Sequence, residues 1–130
     1  MRTVKFDLAG RTCYLSYTVE AMFQLDEQFG SVQGLVDAIQ SSGRDGVSAA
    51  CRAAAILAEQ GELARRSLGY DAEPIVSADE IMASMSPSDV IALKLAIPAA
   101  ISLGYGREVK PENDEVDLGL AELNAQKKTR

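Results

Sequence analysis

The chain has no histidine and no tryptophan, and aromatic residues make up only 5% of its 130 positions. Lack of histidine removes the commonest general base, and with it every Ser-His or Cys-His nucleophile pair. The two cysteines, Cys13 and Cys51, lie far apart and belong to no CxxC pair. A zinc site would need partners the chain hardly offers, so they read as two small buried thiols. Neither a Gly-x-Gly-x-x-Gly turn nor a Walker lysine loop occurs. Lys and Arg number 13 against 19 acidic residues, a net charge of −6. That balance argues against nucleic acid or an anionic membrane as partner, since both need clustered positive charge. No apolar run approaches the roughly 20 residues that cross a bilayer. The opening MRTVKFDLAG lacks the apolar core of a secretory signal. The expectation is a cytoplasmic protein that is not an enzyme and carries no cofactor or metal.

What is present is a globular composition, 47% hydrophobic and 25% charged. Alanine supplies much of the apolar share, which points to closely packed helices. The expected fold is mainly α: an N-terminal β-hairpin and about five helices in a single domain, residues 1–104, then a charged, mobile tail, 105–130. In the hairpin, Thr3–Tyr17, Val4, Phe6 and Leu8 share one face, and Cys13, Leu15 and Tyr17 the corresponding face of the return strand, with Gly10 in the turn. An isolated hairpin is marginal in water, so this one should lie on the helices or pair with another chain. Its open edge suits self-association.

The first helix, within Thr18–Gly30, is well punctuated: Thr18 as N-cap, Glu20 at the positive end of the dipole, Gly30 as the left-handed closing residue. Met22, Leu25 and Phe29 form its apolar stripe, widened by Val19 and Phe23. Asp26 interrupts the stripe, as a partner of a hairpin amide or Arg11, or as a polar contact at an interface. A short second helix carries Val32, Leu35, Val36 and Ile39, capped by Ser31. Ser41–Gly46 reads as a loop. The third and longest helix, roughly Val47–Leu68, has a small-residue face of Val47, Ala50, Cys51, Ala54, Ala58 and Gly61, with Ala53, Ile56 and Leu63 opposite. A helix apolar on two sides is central or shared with a partner. Gly61 inside it signals close approach or a break.

After a loop at Gly69–Pro74, Ser77-Ala78-Asp79-Glu80 is a capping box that starts a short fourth helix with Ile81, Met82 and Met85. Pro87, at the tolerated first position, opens a fifth with Val90, Leu93, Ile97 and Ile101 on one face. Pro98 should kink it and Gly104 end it. The neighbouring carboxylates Asp26-Glu27, Asp79-Glu80 and Asp114-Glu115 point about 100° apart on a helix and make no two-carboxylate site. Met22, Met82 and Met85 are flexible and polarisable; they suit a surface that repacks around a partner, or fill gaps in the core. The candidate interaction surface is Met22, Leu25, Asp26, Phe29, Ala50, Ala54, Met82 and Met85.

The order of these signals resembles the tail assembly chaperones of long-tailed phages and prophages, and the related small proteins of gene-transfer-agent clusters. The resemblance rests on the hairpin VKFDLAGRTCYLSYT, the helix end Leu25-Asp26-Glu27-Gln28-Phe29-Gly30, the short second and longer alanine-rich third helices, and the Pro74-Ile75-Val76-Ser77 lead into two more. It covers roughly residues 3–104 and implies a non-enzymatic function. Such a chaperone binds the tape-measure protein, keeps it soluble, and helps recruit the tail-tube protein; a homo-oligomer is expected. The rival readings are a structural tail or neck component that stays in the virion, and a small bacterial adaptor or regulator.

Overall fold

The computed structural model describes residues 2–106. A β-hairpin is followed by five helices, as the sequence leads one to expect. Strands β1 (Val4–Leu8) and β2 (Arg11–Leu15) pair antiparallel, with Val4 opposite Leu15, Phe6 opposite Cys13, and Leu8 opposite Arg11. The turn is Ala9-Gly10, with φ of 52° and 79°. Two left-handed residues match the right-handed twist of the strands. Gly10 adopts this at no steric cost, whereas Ala9 bears about 1 kcal/mol. Val4, Leu8 and Leu15 are fully buried, so the alternating face does close on the helices.

Helix α1 (Val19–Phe29) begins at Thr18, whose hydroxyl oxygen accepts from the Ala21 amide at 3.1 Å. It ends at Gly30, φ 85°, whose amide donates to the Asp26 carbonyl. Its buried residues are Ala21 and Leu25, with Met22 and Phe29 half-buried against the core. Val19 and Phe23 are 67% and 57% exposed. The apolar stripe is thus rotated from the expected one. The small side chain of Ala21 lets the helix seat closely, and the i, i+4 pair Ala21–Leu25 sets the inward direction.

Helix α2 (Val32–Ile39) buries Leu35 and Ile39 and is capped by Ser31. Helix α3 (Gly43–Ser67) starts earlier than Val47, so the expected loop shrinks to a turn at Ser41-Ser42. Gly46 explains the difference. A Cβ there would lie 1.9 Å from the Ser41 carbonyl oxygen, so the chain folds tightly over the first turn only because the residue is glycine. Ala49, Ala50, Ala53, Ala54, Leu57 and Ala58 are buried on several sides of α3, and α1, α2, α4, α5 and β2 all pack on it. It is the central element.

Gly61 is a point of close approach, to the hairpin rather than to another helix. A Cβ would meet the Tyr14 carbonyl oxygen at 1.6 Å. Nearby, the Ser16 amide donates to the Leu57 carbonyl, tying the end of β2 to α3. Helix α4 (Ala78–Ser84) opens with the Ser77–Glu80 capping box. Helix α5 (Pro87–Gly104) opens with a second, Ser86–Asp89, and continues as one helix through Pro98. Gly104 belongs to the helix instead of terminating it. It lets α5 touch Tyr17, since a Cβ there would come within 2.7 Å of the Tyr17 carbonyl oxygen. The left-handed residue comes later, at Gly106. Beyond it, the expected charged tail lies outside the described residues.

Candidate interaction surface

Exposed apolar side chains are spread over α1, the end of α3, the connector after it and α5, and an apolar groove opens at the α4–α5 corner. Ser77 and Ser86 fix the start of the two helices; between them Met82, within α4, and Met85, its C-cap, line the same groove. With Val47 of α3, and Pro87 and Val90 of α5, they line an open groove of about 300 Å³. Both methionines pack partly on the core and partly face the groove. Along α5 next to it, Ile91 and Leu95 stand one turn apart on the outer side, 68% and 63% exposed. Helix α5 is apolar all round: 18 residues of mean hydropathy 1.3, a third of them buried. By length and composition alone it is long enough to cross a membrane, although Asp89 and Lys94 interrupt its apolar run. Here it packs on α3 and β1, burying Leu93, Ala96, Ile97, Ala100, Ile101 and Leu103.

The other expected surface residues separate into three environments. Leu25, Ala50 and Ala54 are core residues, because the α1 and α3 faces they occupy are closed by neighbouring helices; they present nothing to a partner. Met22 and Phe29 are half-buried on α1, and the Arg52 guanidinium covers the Phe29 ring at 4.9 Å. Asp26 is half-exposed and makes neither an ion pair nor a side-chain hydrogen bond among the described residues. The suggested Arg11 partner donates instead to the Pro74 carbonyl. Asp26 does act on Tyr17. Burial, the Tyr105 hydroxyl and then the Asp26 charge push the Tyr17 phenol upward from its ordinary value. The two tyrosine rings lie 5.5 Å apart, joining α5's end to the hairpin.

A polar cluster escaped the sequence reading. Glu62 is buried on α3 and bridges Arg65 at 2.7 Å and Arg66 at 3.0 Å. Its second oxygen also accepts from the Glu73 amide at 2.7 Å. Arg66 donates to the Glu73 carbonyl, Arg65 to that of Asp71. Arg65 in turn lies between the Tyr14 and Tyr70 rings. Burial works against ionisation of Glu62, but the amide and the two guanidiniums outweigh it and hold the carboxyl below its ordinary value. The cluster straps the 69–77 connector to α3, and its cleft of about 20 Å³ has room for little more than one water. The i+3 and i+4 arginines were visible in the sequence; the burial that gives them force was not.

Cys13 is half-buried and Cys51 buried, and in both burial raises the thiol above its usual value. Among the described residues no group of His, Cys, Asp or Glu is arranged to hold a metal ion. No protein-family model, curated protein or solved structure matches this chain.

Proposed function

We propose that the chain is a binding protein of the phage tail assembly chaperone type, which holds an apolar stretch of the tape-measure protein and keeps it soluble while the tail tube assembles. One observation carries the reading: an open apolar groove lined by Met82, Met85, Val47 and Val90, beside the exposed Ile91 and Leu95. Methionine side chains adapt to varied partners, and a helix laid in a groove is recognised through residues spaced one turn apart. The order of elements, hairpin then five helices, is the arrangement the sequence resemblance implies. Net negative charge keeps a complex with a sticky client dispersed in the cytoplasm.

Co-expression with the tape-measure protein from the same genome tests the reading. The expected result is a soluble complex of the two; tape-measure protein that stays insoluble overturns it. Stoichiometric recovery of the chain from purified particles would favour a structural tail or neck component.

A further inference from the structure

The hairpin has one covered edge and one open edge. A two-residue turn makes Leu8 and Arg11 a hydrogen-bonded pair, and bonded pairs alternate along an antiparallel ladder. Given the register, Phe6–Cys13 and Val4–Leu15 are bonded as well, so the amides and carbonyls of Thr12, Tyr14, Lys5 and Asp7 point away from the hairpin. On the β2 side this is seen directly. The Tyr14 carbonyl faces Gly61, and the next outward amide, that of Ser16, donates to Leu57. On the β1 side, the Lys5 and Asp7 backbone groups meet no hydrogen-bond partner among the described residues. Asp7 is exposed and Lys5 half-exposed.

We infer that this edge pairs with β1 of a second copy, antiparallel about a two-fold axis at Phe6, giving a continuous sheet of order β2–β1–β1–β2. Antiparallel pairing centred on Phe6 sets Lys5 opposite the partner's Asp7 and Asp7 opposite the partner's Lys5. Each pair joins residues whose backbone groups point outward, so the same register that satisfies the ladder also matches the charges. Self-complementary patches of this kind are what a two-fold interface needs. Lys5 and Asp7 lie on the face away from the core, where opposite charges directly across a strand pair attract. One Asp7 oxygen is taken by the Thr12 hydroxyl at 2.9 Å, which fixes the carboxylate and leaves the other oxygen for the incoming lysine. Phe6, half-buried, meets its own counterpart on the axis. A two-stranded ribbon, marginal by itself, becomes part of a wider sheet.

The test uses the full chain with Lys5→Asp and Asp7→Lys, whose side chains lie on the solvent face of the hairpin. Sedimentation equilibrium reads the association. Wild type should dimerise. Each single variant lines the edge with charges of one sign, so its dimerisation should weaken about tenfold or more with little change in thermal midpoint. Mixing the two variants should restore a one-to-one heterodimer, because each edge then faces its opposite. Hydrogen exchange gives a second readout. The Lys5 and Asp7 amides should gain protection as wild-type concentration rises, while Phe6 and Leu8 are protected throughout. A wild type that stays monomeric at high concentration overturns the inference. So does an oligomer that both single variants form as well as wild type does, since its interface then lies elsewhere.

Discussion

Glu62 is a carboxylate placed where a carboxylate is costly, and its surroundings repay the cost. Two guanidiniums and one backbone amide converge on it. Removing its charge leaves Arg65 and Arg66 facing a neutral group, so Glu62→Gln should destabilise the fold by about 1–3 kcal/mol in chemical denaturation. The acid limb of stability carries the same signature. The folded pKa lies below that of an unfolded glutamate, about 4.3. Its contribution is therefore complete above the unfolded value and is lost as pH falls through the folded one. Wild type should lose stability more steeply below about pH 4 than Glu62→Gln does. Denaturation midpoints measured across that range check it. Gly61 offers a sharper case. A methyl there would strike the Tyr14 carbonyl, so Gly61→Ala should cost about 1–3 kcal/mol despite its better helix propensity. The sequence marks Gly61 as anomalous, because a glycine inside a helix requires a reason. It does not mark Glu62, because nothing local tells a solvated Glu-Arg-Arg spacing from a buried one.

At the scale of elements, caps were the most legible signals. Thr18, Ser31 and Ser77 each cap the helix their position foretold, since a cap depends only on residues within the same turn. The facing of α1 was less legible. Leu25 marks the buried side correctly, yet Val19 and Phe23 point to solvent because Ala21 seats the helix by its smallness. Likewise, the start of α3 was hidden behind Ser-Ser-Gly-Arg-Asp-Gly, a loop by composition whose glycines serve a tight turn and a close contact. The Ser86–Asp89 box at the start of α5 is a signal of the same local kind as the caps, with aspartate in place of the usual glutamate. Ser77→Ala should lower stability by about 1 kcal/mol in thermal denaturation through loss of its cap. By contrast, Ile91→Glu or Leu95→Glu, on the outer side of α5, should leave the thermal midpoint nearly unchanged.

For the molecule as a whole, long-range packing decided which of the expected surface residues stay accessible. Ala50 and Ala54 went into the core because neighbours pack on several sides of α3, a fact of topology that helical spacing alone does not contain. Met82 and Met85 stayed half-exposed because α4 is short and, packing on α3, leaves them at the rim of the groove with Pro87 and Val90. The proposed partner binding lies at the α4–α5 corner and the inferred self-association at the opposite kind of feature, a strand edge. The central claim is that the corner groove holds the client. The most direct measurement is the soluble fraction of tape-measure protein co-expressed with wild type or with the Met82→Glu, Met85→Glu double variant. Two carboxylates in an apolar groove should weaken binding by about 2 kcal/mol or more, roughly thirtyfold, so the account predicts soluble client with wild type and loss of it with a folded variant. Equal solubility with both chains would contradict it.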